Sequence, residues 1–300
     1  MTSNPFARPG RFFKGNLHTH SSLSDGELSP LEVCRRYREA DYDFICLSDH
    51  FLPAYGFTVS DTRPYRTDTF TTILGAEVHV PATRLGEKWH LLANGLPLDF
   101  APPRDGEGGP ELARRCAEAG AFVTIVHPEW YSLGIDDAMA IDAAHAVEVY
   151  NHTSALRTSR GGGAALLDQL LAEGRRLNAL ATDDAHFLVD DAFGGWVMVK
   201  AERNEPELLV QALKAGHYYS TQGPLIEDIR IDGDDVVVDC SPAFGVYLLG
   251  RGSRADRSER RGQTTARLSA GRMGKGGFMR VVVVDDNGRS AWSNPLWRIE

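Results

Sequence analysis

Five short apolar runs in this 300-residue chain are each followed at once by a histidine or a carboxylate, and that recurrence constrains the fold more than any other feature. The first leads into NLHTHSSLSDGE, which carries His18, His20 and, in the turn beyond, Asp25. FICL (44–47) leads into Ser48-Asp49-His50, TILGA (72–76) into Glu77, FVTIV (122–126) into His127, and LNALA (177–181) into Asp184 and His186. His18 and His20 are two apart, so on extended chain both imidazoles share one face. A fold that gathers strand ends at one edge gathers these side chains with them.

Between the runs lie segments with helical periodicity. Ser29 is placed to cap, Pro30 suits the first helical position, and Glu32 can reach back as a capping box. Leu31, Cys34 and Tyr37 then repeat at helical spacing to about Ala40. Further helices are predicted at 110–119, 136–144, 163–173 and 205–215, and further strands at HLLANGL (90–96) and HAVEVY (145–150). Strands separated by helices predict parallel βαβ units, and so many of them predict a barrel or a near relative. Barrel enzymes carry their chemistry at the C-terminal strand ends. After Gly223-Pro224 the runs DIRIDG, DVVVDC, GVYLLG, ARLSA and MRVVVVDDNG are short and joined by Gly-rich turns, with Asp286-Asn287-Gly288 the strongest turn signal. The expected organisation is α/β: a barrel over residues 1–222, then a small antiparallel β domain of sandwich type over 223–300.

Imidazoles and carboxylates that converge in a protein interior need neutralising, and divalent metals do this. Mixed nitrogen and oxygen ligands without thiolates suit Zn²⁺, Mn²⁺ or Fe²⁺. The set His18-Thr-His20, Asp25, Ser48-Asp49-His50, Glu77, His127-Pro128 and Asp184-Ala-His186 resembles, in order, the motifs of the PHP (polymerase and histidinol phosphatase) family over about residues 14–190. The resemblance implies a distorted (β/α)7 barrel holding two or three divalent ions. It implies His18, His20, Glu77 and Asp184 on the first ion, and Glu77 with His127 on the second. Asp25, His50 and His186 would hold a third, Asp25 standing where many members have histidine. The family's other ligand to the second ion falls between Glu77 and His127. There His90 is the candidate, although it precedes its apolar run. Glu77, Asp184 and His186 are the candidate catalytic residues. KGNLHTHSSLSDGE and the tail WSNPLW also look like the branch that contains carbaryl-type hydrolases.

The expected activity is metal-dependent hydrolysis, first of a phosphoester in a small phosphorylated molecule or nucleotide. The alternative is a carbamate or aryl ester, split at the same metal site. For an anionic substrate, Arg157 and Arg160 precede three glycines that open a helical pattern, a way to present cations and amides together. Glu148 at the end of its strand is placed to face inward and hold a ligand imidazole in one tautomer. His79, two after Glu77, points either to the site or to the surface.

Composition narrows the partners. A net charge of −9 argues against gripping nucleic acid or an anionic membrane as the main task, and no apolar run approaches a membrane span. Residues 251–280 hold nine Lys or Arg against two acids but almost no aromatics, which reads as a solvated loop, with nucleic acid expected only as a short substrate. Cys34, Cys46, Cys116 and Cys240 form no CxxC pair, and the first sixteen residues lack the apolar stretch of a secretory signal. A cytoplasmic protein with free thiols is expected.

Overall fold

The computed structural model describes residues 4–274 and 277–297. Its first part alternates strand and helix: β1 (Arg11–Asn16), α1 (Pro30–Glu39), β2 (Phe44–Leu47), β3 (His50–Phe51), β4 (Thr71–Val80) and β5 (Trp89–Asn94). α2 (Gly109–Glu118), β6 (Phe122–Ile125), α3 (Ile135–Ala140), β7 (Ala146–Asn151), α4 (His152–Thr158), α5 (Ala164–Ala172) and β8 (Asn178–Thr182) follow. Then come β9 (Trp196–Ala201), α6 (Pro206–Lys214) and β10 (Tyr218–Thr221). The last part is all strand: β11 (Ile226–Asp232), β12 (Asp235–Gly250), β13 (Ala255–Ser269), β14 (Phe278–Val284), β15 (Ser290–Ser293) and β16 (Leu296–Trp297).

Local chemistry accounts for most helix boundaries. In α1 the Ser29 hydroxyl accepts from Glu32 N at 3.3 Å, and Pro30 opens the helix. The Glu32 carboxylate does not complete a capping box, because Arg35 and Arg36 on the next turn donate to it instead. The helix expected at 136–144 stops at Ala140, and the one expected at 163–173 runs from Ala164 to Ala172. α4 was not foreseen at all. Asn151 starts it, its side-chain oxygen accepting from Ser154 N at 2.8 Å, a cap that needs only one residue and leaves little periodicity to read.

The strand order β1-β2-β4-β5-β6-β7-β8 is continuous, but not wholly parallel. β1–β2, β2–β4, β6–β7 and β7–β8 pair in parallel, whereas β5 runs antiparallel to both β4 and β6. The reason is connection length. Only residues 81–88 join β4 to β5, too few for the crossover of a dozen or more residues that a parallel return requires. β8 comes back beside the chain that follows β1 through a parallel bridge between Thr19 and Ala185.

On its other edge β1 pairs antiparallel with β9, and the path continues through β10, β15, β14 and β12. Two expected strands, DVVVDC and GVYLLG, are one bulged sixteen-residue strand, β12. The basic run is not a loop. It forms β13, the exposed partner of β12, although Lys275 within the run lies outside the described residues. The turn at 285–288 forms as expected, with Gly288 N donating to Asp285 O at 3.1 Å and Gly288 at φ 78°.

Phe278, Val282 and Trp292 of the last strands belong to the same apolar core as Leu167, Leu170 and Leu171 of α5. The four cysteines are buried and unpaired. Among the described residues no helix is long and apolar enough to cross a membrane.

One ion pair ties the C-terminal strands to the helical layer. Arg280 on β14, 2% exposed, makes a two-pronged contact with Asp168 on α5 at 2.7 and 2.6 Å. Removing the carboxylate strands a buried guanidinium, so Asp168→Ala is expected to lower stability by about 1–3 kcal/mol. Arg280→Met should be milder, since an apolar chain needs no partner. Urea unfolding of both variants checks this. An Asp168→Ala loss within about 0.5 kcal/mol of zero would remove the tether from the account.

Candidate metal centre

The two dipeptide-spaced motifs lie side by side. His20 N donates to Ala185 O and Asp184 N to His18 O, both at 2.9 Å, so the HTH and DAH segments run parallel. Thr19 and Ala185 bridge, and the flanking His18, His20, Asp184 and His186 fall on the opposite face. Asp184 at φ 58° and His127 at φ 28° adopt left-handed backbone rarely used by residues with a side chain, and such strain concentrates at functional sites.

Glu77, 1% exposed, is the hub. Its Oε1 lies 2.7 Å from His90 Nδ1 and 3.1 Å from His127 Nε2. Its Oε2 lies 2.8 Å from His50 Nδ1 and 3.6 Å from Nε2 of both His18 and His20. Asp184 Oδ1 is 2.9 Å from His20 Nε2 and 3.2 Å from His18 Nε2. On the far side of His20, Asp25 lies 3.4 Å from both His50 Nε2 and His186 Nε2. All nine side chains singled out from the sequence as ligands are therefore in one cluster. The reversal of β5 explains His90. An antiparallel strand brings its beginning to the edge where parallel neighbours bring their ends, so a histidine before its apolar run sits beside Glu77.

Donor atoms within 4.8 Å of one another form overlapping groups able to hold a cation: His18, His20 and Glu77; Glu77, His90 and His127; His20, Asp25, His50 and His186. A metal fits this chemistry. His18 Nε2, His20 Nδ1, Glu77 Oε2 and His127 Nδ1 are buried with no hydrogen-bond partner, an expensive state for polar atoms unless a cation takes their lone pairs.

The charges are mutually adjusted. Burial disfavours the charged form of His18, but Asp184 and Glu148 outweigh it and raise its pKa well above the usual histidine value. Burial, with His186 and His50 beside it, lowers His20 to about 4. His50 is likewise opposed by burial, yet Glu77 and Asp25 raise it to about 10. Burial works against the Glu77 carboxylate, and the surrounding imidazoles, His50 first, still hold its pKa well below the ordinary range.

A second ring holds the first. Glu148, fully buried, accepts from His18 Nδ1 at 3.1 Å, from His127 N at 2.6 Å and from Asn151 Nδ2 at 2.9 Å. With Nδ1 held by Glu148, His18 turns Nε2 toward Glu77 and Asp184. Asn151 Nδ2 also donates to Asp184 Oδ2 at 3.1 Å. His79 joins the cluster too, its Nε2 2.8 Å from His50 Nδ1. Asp49 turns away and accepts from Ser21, Ser24 and Ser60. Asp183 accepts from Tyr37 and from the amides of Phe193, Gly194 and Gly195.

The centre opens into a cavity of about 480 Å³ lined by Asp25, His50, Glu77, His90, His127, Asp184 and His186. Its wall adds Trp130, Leu188 and one side of α4, including Arg157. Arg160 does not line it; its guanidinium turns to Trp130 O at 3.4 Å. Nor do the three glycines line it, and two of their amides are engaged elsewhere: Gly162 N donates to Glu129 and Gly163 N to Val149 O. Trp130 carried no pattern that set it apart in the sequence.

No family model matches the chain. A stretch of 116 residues, 38% of the chain, is 28% identical to the uncharacterized protein MJ1295 of Methanocaldococcus jannaschii and spans 45% of that protein. An amidohydrolase from Chromobacterium violaceum is similar over 59% of this chain and 89% of its own, with 15% identity and a TM-score of 0.45. A two-domain protein from Bacteroides vulgatus ATCC 8482, containing a predicted PHP-like metal-dependent phosphoesterase, matches 96% of this chain over 97% of its own, with 17% identity and a TM-score of 0.56. Almost from end to end, the chain shares the fold of that two-domain protein.

Proposed function

We propose that the chain is a metal-dependent phosphoesterase that hydrolyses a small phosphorylated molecule or nucleotide. In this reading residues 1–222 form the distorted (β/α)7 barrel and 223–300 the small β domain. The observation that carries it is the convergence of nine ligand-type side chains, Glu77 among them, at the floor of an open cavity with Arg157 on its wall. His18, His20, Glu77 and Asp184 would hold one divalent ion; Glu77, His90 and His127 a second; Asp25, His50 and His186 a third. The ions are Zn²⁺, Mn²⁺ or Fe²⁺ by ligand type. When bound, they supply an acidified water and neutralise the oxygens that gain charge.

The chain's own groups do the rest. Glu148 and Asn151 hold the His18 ring, the backbone at His127 and the Asp184 carboxylate in place. The Asp184 carbonyl accepts from His186 Nδ1 at 2.7 Å, which leaves Nε2 on the cavity side. Arg157 offers a guanidinium to the substrate's anionic oxygens, and the planar donor set suits a phosphate. Four buried thiols without partners support a cytoplasmic setting.

Trp130 and Leu188, exposed on the same wall, favour a second reading: a carbamate or aryl ester as substrate. Phosphate release from nucleotides and sugar phosphates, measured beside aryl ester cleavage, decides between them. Ester turnover with no phosphate release from any member of the panel would overturn the first.

Glu77→Ala is expected to abolish turnover and reduce bound metal, and full activity would refute the ligand assignment. Glu148→Gln keeps the shape but weakens the acceptor, and should reduce metal affinity by about 10–100-fold, read by elemental analysis after dialysis. Arg157→Ala should raise KM for phosphomonoesters by about 10-fold or more and leave aryl ester KM unchanged. Equal effects on both substrates would take Arg157 out of phosphate recognition.

A further inference from the structure

The sheet face that carries the metal centre continues beyond it. Following β3, β4 and β5 outward, Leu52 comes two residues after His50 and His79 two after Glu77, while on the antiparallel strand Lys88 comes two before His90. These three border a second cavity, of about 430 Å³, which shares no lining residue with the first. Most of its wall is apolar, formed by Leu52, Pro53, Phe57, Val80 and Pro103. Lys88, Arg104 and Glu107 add charge.

The acid among them is already answered. Glu107 is buried, and its carboxylate accepts from Nε and Nη2 of Arg115 at 2.8 Å each and from Arg104 N at 2.9 Å. Arg115 also donates to Ala101 O at 2.7 Å and to Pro102 O at 3.2 Å, with its guanidinium over the Phe100 ring. One arginine therefore clasps the loop between β5 and α2 and makes a fixed wall of it. The two cations stand differently. Lys88 and Arg104 are exposed, and among the described residues neither forms an ion pair.

Apolar walls beside two unanswered cations select a ligand by class. A neutral apolar molecule would leave the cations unused, and a small inorganic anion would leave the walls unfilled. A carboxylate on an apolar body satisfies both, and the planar guanidinium of Arg104 matches a carboxylate in shape.

We propose that this cavity binds a small aromatic carboxylate, its rings against Leu52, Phe57, Val80 and Pro103 and its charge between Lys88 and Arg104. The site is separate from the metal centre and does not depend on what that centre does. It meets the centre at one point: His79, in the cavity wall, has Nε2 2.8 Å from His50 Nδ1. An occupant lies one side chain away from His50.

Naphthoate is the probe, titrated calorimetrically into the full chain as purified. It should bind saturably, and naphthalenemethanol, which keeps the rings without the charge, about 10-fold more weakly or worse. Replacing both cations, Lys88→Ala with Arg104→Ala, should weaken naphthoate by about 10-fold or more and leave the alcohol unchanged. Ala82→Trp, which brings an indole into the cavity from an exposed position, should abolish binding of both. Arg157→Ala, in the other cavity, should change neither.

No saturable naphthoate binding would overturn the proposal, and so would equal affinities for the acid and the alcohol. Full binding in the double variant or in Ala82→Trp would place the probe outside this cavity. Loss of binding in Arg157→Ala would place it over the metal centre. Either result removes the site. If Ala82→Trp fails to fold, the double variant, altered only at exposed side chains, decides by itself. These readouts are of binding alone, so the phosphoesterase reading stands or falls separately, on turnover.

Discussion

The structure turns on one buried carboxylate. Glu77 has six imidazoles, those of His18, His20, His50, His79, His90 and His127, with a ring nitrogen 2.7–3.8 Å from one of its oxygens. An ionised carboxylate out of contact with water is tolerated only with compensating charge or hydrogen bonds. Imidazoles supply some of that, but they crowd one another, and several of their nitrogens remain without partners. Divalent cations among these atoms would answer the carboxylate and the unpartnered nitrogens together. Two of the residues around it, His127 and Asp184, take left-handed backbone to reach their places.

Holding so many polar groups in register requires support from behind. Glu148 reaches His18, His127 and Asn151, and through Asn151 it is coupled to Asp184. Side chains thus tie β7 and the segment after β6 to the segment after β1, and add to the backbone bridge between Thr19 and Ala185. Asp49 and Asp183 do similar work on the loops that carry Asp25 and His186. Asp49 holds Ser21 and Ser24, and Asp183 gathers the amides at 193–195. Burial raises the Asp183 pKa to about 6 despite these donors, a measure of how far from water the supporting shell lies.

Much of the centre was legible in the sequence because strand periodicity and ligand chemistry coincide there. An apolar run that ends in His, Asp or Glu announces both a buried strand and a polar edge, and eight of the nine residues, all but His90, came together on that logic. What escaped depended on distances the chain does not display. β5 looks like any other strand, and its reversal follows only from the short link at 81–88. His79 is one histidine among ten, and its place in the cluster follows from the β4–β5 register that lays it by Trp89 O. α4 is short and capped by a residue at the end of a strand, so its contribution to the cavity wall has no periodic signature. The Gly-rich segment misled for a physical reason: a nearby carboxylate, Glu129, already occupies the Gly162 amide.

Charge placement limits what the cavity can receive. A track for a nucleic acid needs cations in a row with their heads free for phosphates. Several C-terminal arginines instead face acids of the same sheet or of neighbouring turns: Arg257 with Glu259, Arg261 with Asp286, Arg267 with Asp232 and Asp235, and Arg272 with Asp256. Arg280 is buried against Asp168. Much of the excess positive charge of residues 251–280 is therefore answered locally before it can build a field over the surface. The cavity itself, about 480 Å³, lies in the range of small-molecule sites. Arg157 on its wall and the carboxylates and imidazoles of its floor lie within a volume of the size that holds one small molecule.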